Sequence, residues 1–103
     1  MHSSFRLDAA YLMCASGRFD GAAAALVHDD VRLALADGAV DVTLDLSVVD
    51  EVDERAVEEI ASVACSVAVR HRHLFIAPPG ERMMTVTDPN VVRNRLRVGR
   101  AQP

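Results

Sequence analysis

A group of charged residues stands where the sequence predicts the start of a helix. Asp53 and Glu54 come first, Arg55 follows them, and Glu58 and Glu59 lie one turn further on. Backbone N–H groups in the first turn of a helix have no intrahelical partner, and the helix dipole is positive there. Such a position stabilises a carboxylate or a phosphate. We predict that Asp53 caps this helix and that Glu54 holds a negative charge in its first turn.

No other group of residues predicts catalysis or metal binding. His71 and His73 are separated by one residue, but no cysteine or third histidine lies near them, so a structural role at a helix end is favoured. His28, Asp29 and Asp30 fall on a predicted helix and are expected to be exposed charges. No nucleophile stands in a glycine-flanked strand–turn–helix segment. The sequence therefore predicts a non-enzymatic protein with no cofactor and no metal.

Two amphipathic helices are predicted. The first covers Ala22–Ala36 after the capping residue Asp20. Residues at helical spacing form its core face, namely Val27, Val31, Ala34 and Leu35. Leu26 and Leu33 lie off that face, where they either extend the edge of the core or form a partner surface. The second helix covers Glu54–Arg70 and carries a continuous apolar stripe, namely Val57, Ile60, Ala61, Ala64, Val67 and Ala68.

The strands between these helices indicate the fold class. Apolar and polar residues alternate over Val40–Leu46, which predicts a strand at the centre of the fold. Short apolar runs at Tyr11–Ala15 and Leu74–Ala77 predict two more strands. Ser47–Asp53 is predicted to be a loop between the central strand and the second helix. The succession of strand, helix and strand forms a parallel βαβ unit, so we place the chain in the α/β class.

Both ends of the chain have weaker patterns. Met1–Asp8 is predicted to be a polar lead. Met83–Thr87 is either a helical turn or a strand, and its threonines favour the strand. Pro89 suits the first position of a helix over Asn90–Val98, and Gly99–Pro103 is predicted to be a flexible tail. The last arginines form a solvated helix face or, alternatively, a patch for an acidic partner or nucleic acid, namely Arg93, Arg95, Arg97 and Arg100.

The composition limits the classes of partner. The chain has 103 residues, a net charge of -4 and only 4% aromatic residues, which disfavours general nucleic-acid binding. No apolar run approaches the roughly 20 residues of a membrane-spanning helix. Cys14 and Cys65 are too few for a disulfide scaffold and are expected to be buried, inert thiols. These features predict a cytoplasmic protein, and the use of arginine without lysine points to a GC-rich bacterial genome.

The segment Asp45–Asp53 resembles the loop of STAS domains, the anti-sigma factor antagonists. Their pattern is Asp-Leu-Ser, then a few residues with apolar positions, then Asp-Ser-Ser-Gly-Leu opening a helix. The positions that match are Asp45, Leu46, Ser47, Val49, Val52, Asp53 and Val57. Gly17–Asp20 is similar to the Gly-Glu-Leu-Asp before the family's first helix, and the resemblance covers Tyr11–Pro79. The chain length fits a single domain over residues 1–103. The resemblance implies its fold, which is a small mixed sheet with a parallel βαβ core and helices packed mainly on one face.

The resemblance also implies a function, which is the binding of a protein partner. The implied partner is an anti-sigma factor or a serine-kinase-type regulator. The residues that it implies for partner binding are Ser47, Asp50, Asp53, Glu54 and Arg55. The alternative is a STAS module that binds a small ligand or a lipid, or a regulatory subunit of a larger assembly. A pocket with a bound ligand would favour that alternative.

One departure from the family pattern concerns the phosphorylation switch. Where the family has Ser-Ser-Gly, this chain has Glu54, Arg55 and Ala56. The first serine is the phosphoacceptor in the switchable members, and a serine kinase cannot phosphorylate a glutamate. Glu54 then either imitates the phosphorylated state, with a charge of −1 where phosphoserine carries about −2, or is an ordinary acid of a helix start.

Overall fold

The strand β3 (Asp41–Val52) lies at the centre of a five-stranded sheet. The computed structural model describes residues 2–100, and the side chains of residues 2–96. Val42, Leu44 and Leu46 are fully buried, while Thr43 and Asp45 between them are only half-buried. Because successive side chains of a strand face opposite sides of the sheet, this alternation gives β3 one core face. The predicted central strand is therefore confirmed.

Four strands flank β3 in a mixed sheet, two helices connect its parallel strands, and a third helix follows the last strand. The strands are β1 (His2–Leu7), β2 (Ala10–Phe19), β3, β4 (His73–Ala77) and β5 (Met84–Val86), and the helices are α1 (Gly21–Ala36), α2 (Glu54–Val69) and α3 (Pro89–Arg100). Their order across the sheet is β1-β2-β3-β4-β5. The pairs β2–β3 and β3–β4 are parallel, whereas the two outer pairs are antiparallel. This is the mixed α/β sheet with a parallel βαβ core that was predicted.

All three helices contribute to one hydrophobic core. Inward side chains of the strands, such as Met13, Leu44 and Ile76, join residues of the helices in a single buried cluster. The predicted core face of α1 is buried, and so is the stripe of α2 except for Ala68. On the opposite side of the sheet, Phe75 is only half-buried. The helices therefore pack on one face, and α2 contacts both α1 and α3.

The prediction of a loop over Ser47–Asp53 is wrong up to Val52. β3 continues through this segment and pairs with Ser16–Phe19 at the end of β2. The register between the two strands shifts twice, and each shift leaves one extra residue on β3. Such bulges interrupt strict alternation, which is why the sequence pattern ends at Leu46. Ser47 and Asp50 therefore lie in a bulged strand.

Other corrections concern the ends and the cysteines. His2–Leu7 is the edge strand β1, where a polar lead was predicted. α3 continues through Gly99 and Arg100, where a tail was predicted, and residues 101–103 lie outside the described residues. Cys65 is exposed and Cys14 is half-buried, so the prediction that both thiols are buried is wrong.

Candidate functional site

The start of α2 is capped as the sequence predicts. Asp53 has an extended backbone, with φ −79° and ψ 168°, and its carboxylate accepts a hydrogen bond from the Ala56 N–H at 2.8 Å. The Val57 N–H donates to the carbonyl oxygen of Asp53 at 3.0 Å. Asp53 thus satisfies one of the N–H groups that a helix start leaves unpaired. Glu54 and Arg55 occupy the first turn, and both are exposed.

The two longer helices begin side by side. Asp20 caps α1 by accepting a hydrogen bond from the Ala23 N–H at 2.9 Å. Phe19 and Val52 are paired at the ends of β2 and β3, so the capping residues Asp20 and Asp53 follow neighbouring parallel strands. The Asp53 N–H also donates to the Phe19 carbonyl oxygen at 3.4 Å. The positive ends of two helix dipoles therefore lie at one edge of the sheet.

Arg55 connects these two helix starts through a close contact with Gly21. A Cβ atom placed on Gly21 would lie only 2.7 Å from the Cβ of Arg55. Any larger residue at Gly21 would force one of the helices to shift. This contact was not predicted from the sequence. A glycine at the first position of an otherwise alanine-rich helix is the feature that could have indicated the contact.

An acidic groove of about 380 Å³ lies between α1 and α2 at this point. Its lining residues are Gly21, Ala25, Glu54, Arg55, Glu58 and Glu59. Three carboxylates against one guanidinium make the groove negative. Glu58 forms an ion pair with Arg93 of α3 at 3.1 Å. Arg93 therefore offsets one of the three carboxylates, and Arg55 supplies a donor for an anionic group of a partner.

Ser47 and Asp50 do not line the groove. The Ser47 hydroxyl donates to the Asp45 carboxylate at 2.6 Å, and the Ser47 N–H donates to the same oxygen at 3.0 Å. The Ser47 carbonyl oxygen accepts from the Gly80 N–H at 3.0 Å. Asp50 is exposed at the second bulge of β3. The structure thus gathers Asp53, Glu54 and Arg55 at the helix start, and places Ser47 and Asp50 along the strand that leads to it.

His28 was predicted to be exposed, and this prediction is wrong. It is 4% exposed. Its Nδ1 lies 2.9 Å from Glu59, and its Nε2 lies 3.0 Å from the Ser66 hydroxyl. The Arg32 Nε–H points to the same Nε2 at 3.4 Å, so Nε2 is the acceptor and Nδ1–H donates to Glu59. This network joins α1 to α2 beside the groove, which Glu59 also lines.

The part of the chain that the structure describes contains no group of three or more potential metal ligands. Within the same part, no helix is long and apolar enough to cross a membrane. The basic residues of α3 whose side chains are described are engaged in ion pairs, Arg93 with Glu58 and Arg95 with Glu81. Arg97 and Arg100 lie outside the residues with described side chains.

Comparison with known proteins supports the fold. No family model matches the sequence, and no curated protein matches it. The structure is similar to that of the anti-sigma factor antagonist SpoIIAA in its unphosphorylated form, with a TM-score of 0.67, 10% identity, and coverage of 75% of this chain and 72% of that chain. A structure of Mglu is similar over 72% of this chain and 18% of that chain, with a TM-score of 0.62 and 20% identity. The chain therefore has a fold similar to that of SpoIIAA, as the resemblance to STAS domains implied.

Proposed function

We propose that this chain is a non-enzymatic, protein-binding regulator of the anti-sigma factor antagonist type. One observation carries the proposal: the capped start of α2 presents Glu54 and Arg55 to solvent in a STAS-like fold. The partner is an anti-sigma factor or a related serine-kinase-type regulator. In this proposal the chain is a single STAS-like domain that acts in the cytoplasm. Its free thiols, Cys14 and Cys65, stay reduced in that compartment.

The proposed partner surface combines the terminal half of β3 with the first turn of α2. Val48 is 66% exposed there and offers an apolar contact. Ser47, Asp50, Glu54 and Arg55 supply polar groups around it. Protein interfaces commonly join an apolar centre to a polar rim, and this surface has both.

Glu54 has a specific role in the proposal. It occupies the position at which the switchable members of the family carry their phosphoacceptor serine. The dipole of α2 stabilises a negative charge in this turn. Because the glutamate keeps its charge permanently, it acts as a weaker counterpart of a phosphate that no serine kinase can add or remove. We propose that this charge weakens the complex with a standard anti-sigma factor.

The experiment compares the native chain with the triple variant Glu54→Ser, Arg55→Ser, Ala56→Gly, which restores the family pattern. Calorimetric titration against an anti-sigma kinase domain from the same cell should show tighter binding of the variant by about 5- to 150-fold, which corresponds to about 1–3 kcal/mol. With the kinase and ATP, the single variant Glu54→Ser should become phosphorylated at residue 54.

Stability must be measured beside affinity, because Ala56 is fully buried in α2. A glycine in a helix costs about 1 kcal/mol relative to alanine, so Ala56→Gly alone is the matched control. Equal affinities of the native chain and the triple variant would remove the role of Glu54 as a phosphate counterpart. If neither bound, the anti-sigma assignment would be wrong.

A further inference from the structure

A second groove, of about 300 Å³, lies between the later turns of α1 and α2. It shares no lining residue with the groove at the start of α2. Leu35 and Val69 supply its apolar walls, and Cys65 and Ser66 also line it. Ser66 is half-buried. A small molecule in this groove therefore lies beside a serine side chain.

The Ser66 hydroxyl is hydrogen-bonded in a row with His28 and Glu59. His28 Nε2 lies 3.0 Å from the Ser66 Oγ, and His28 Nδ1 lies 2.9 Å from the Glu59 carboxylate. Because Nδ1 carries the proton, Nε2 is free to accept the proton of the serine. A serine that contacts a base, with a carboxylate orienting that base, is the arrangement that activates a hydroxyl for covalent chemistry.

Two guanidinium groups line the same groove, those of Arg32 and Arg70. Within the described part of the chain, neither forms an ion pair with a carboxylate. The Arg32 Nε–H points to His28 Nε2 at 3.4 Å, which is a longer contact than that of Ser66. Once Nε2 has taken up a proton, it no longer accepts from Arg32, whose N–H groups become available to an oxygen in the groove. The groove thus combines a serine nucleophile with donors for an anion.

We propose that Ser66 is a site of covalent self-acylation and that its acyl donor is a small acyl phosphate. The phosphate group binds the two guanidiniums, which suit phosphate oxygens, and the acyl chain lies against Leu35 and Val69. The chain itself is the acceptor and is modified once, so the proposal adds a modification site and no turnover. It does not depend on the proposed partner surface, and either can fail while the other stands.

The reaction transfers one acyl group. The Ser66 Oγ attacks the carbonyl carbon, and its proton passes to His28 Nε2 while Glu59 stabilises the imidazolium. The guanidiniums stabilise the negative charge that develops on the carbonyl oxygen and on the phosphate. The bond between the carbonyl carbon and the phosphate oxygen then breaks, and the phosphate leaves with the electron pair. It takes the proton from His28, so the products are an O-acylserine and hydrogen phosphate.

The test incubates the native chain with acetyl phosphate and follows the mass of the protein and of its peptides. We expect one acetyl group, located on Ser66. Ser62 is the internal control, because it is exposed on the same helix and lies outside the row of hydrogen bonds. It should be acetylated at least about 100-fold more slowly, on the scale of general base catalysis. The chain has no lysine, so no lysine side chain competes for the acetyl group.

Substitutions of the row test its two other members. His28→Gln should slow the acetylation of Ser66 by about 100-fold or more. Because His28 is buried, the unfolding midpoint is measured beside the rate; if this variant unfolds, the comparison of Ser66 with Ser62 in the native chain decides. Glu59→Gln should lower the maximal rate about 10-fold and leave the acetyl phosphate concentration at half-maximal rate unchanged, which is the pattern of a positioning residue.

Substitutions of the arginines test the phosphate. Arg70→Gln should raise the acetyl phosphate concentration at half-maximal rate about 5-fold or more. Arg72→Gln is the matched control, because it removes the same charge from an exposed position outside the groove, and its effect should stay within about 2-fold. With 4-nitrophenyl acetate, which carries no phosphate, Arg70→Gln should react as the native chain does. Equal slowing with both donors would contradict the binding of phosphate by the arginines.

The contrary results are equally specific. No acetylation of Ser66, or equal rates at Ser66 and Ser62, would overturn the proposal. Acetylation of Cys65 in place of Ser66 would make the neighbouring thiol the nucleophile and would overturn it as well. The variant Cys65→Ala removes that thiol, and Ser66 should be acetylated in it at an unchanged rate.

Discussion

Because of Tyr11, the free energy of unfolding of this protein falls at alkaline pH. Burial raises the pKa of its hydroxyl from 10.0 to about 12; the nearby Ser4 acts in the opposite direction, and the Asp30 carboxylate adds to the rise. Between pH 10 and 12 the unfolded chain has lost the phenolic proton and the folded protein has kept it. The unfolded state binds fewer protons in this range, so the free energy of unfolding falls as pH rises.

We therefore expect the tyrosinate absorbance of the folded protein to rise only near pH 12. The free energy of unfolding should decrease by about 2–3 kcal/mol between pH 10 and 12, at about 1.36 kcal/mol for each pKa unit. The chain has no lysine, so no lysine titrates in this range. Tyr11→Phe is the control and should lose most of this dependence. A tyrosinate midpoint near pH 10 in the folded protein would contradict the burial of the hydroxyl.

Single residues also show which interactions could be predicted from the sequence and which could not. Asp53 was predicted as a cap, and the structure confirms it, because capping depends on residues three positions apart. His28 was missed because its partners Glu59 and Ser66 belong to another helix. Local spacing holds no information about that distant pairing. The contact between Gly21 and Arg55 was missed for the same reason, because it also joins two helices.

At the scale of elements, the contact between Gly21 and Arg55 sets how closely α1 and α2 begin. Gly21→Ala would place a methyl group 2.7 Å from the Cβ of Arg55. In an isolated helix, replacing glycine by alanine is stabilising. A loss of stability in this protein would therefore indicate the contact with Arg55. We expect Gly21→Ala to lower the free energy of unfolding by about 1–3 kcal/mol, because the helices must move apart.

Chemical denaturation of Gly21→Ala measures this loss. The variant Arg55→Gly removes the opposing Cβ. In that background, adding Gly21→Ala should lower the free energy of unfolding much less than it does in the native chain. An unchanged or higher stability of Gly21→Ala would show that the two helix starts are not in contact.

The helices and strands also show which elements sequence patterns could predict and which they could not. Helix α2 and the first half of β3 were predicted because burial on one face imposes a regular period on each. The second half of β3 was predicted as a loop because its bulges break the period at Ser47. Edge strand β1 was missed because only one side of it is paired and most of its residues are exposed, so its composition is polar.

For the molecule as a whole, stability depends on the core between the sheet and the helices. Leu44 is fully buried at the middle of β3. Leu44→Ala should lower the free energy of unfolding by about 2–5 kcal/mol, through lost burial and the cavity left behind. Leu26→Ala is the matched control, because Leu26 is 59% exposed on α1, and its effect should stay within about 0.5 kcal/mol. Urea denaturation measures both. A loss below about 1 kcal/mol for Leu44→Ala would contradict the central place of β3.

The fold as a whole was predictable because the order of strands and helices and the STAS-like segment Asp45–Asp53 agreed with each other. A cavity of about 560 Å³ between β1 and α1 was not predictable, since it requires the missed edge strand. One wall of that cavity comes from Ser4 and Arg6, which had been assigned to a polar lead. The candidate site at α2 was predictable in its contiguous part, Asp53 to Arg55, and not in its contact with α1.

The central claim is that the charge of Glu54 at the start of α2 controls partner binding. It is tested most directly by titrating an anti-sigma kinase domain from the same cell with the native chain, Glu54→Gln and Asp29→Asn. Glutamine keeps the size of the side chain and removes its charge, and Asp29→Asn removes one charge from an exposed position of α1. We predict a dissociation constant about 5- to 100-fold smaller for Glu54→Gln and an unchanged one for Asp29→Asn. An equal or larger dissociation constant for Glu54→Gln would contradict the account.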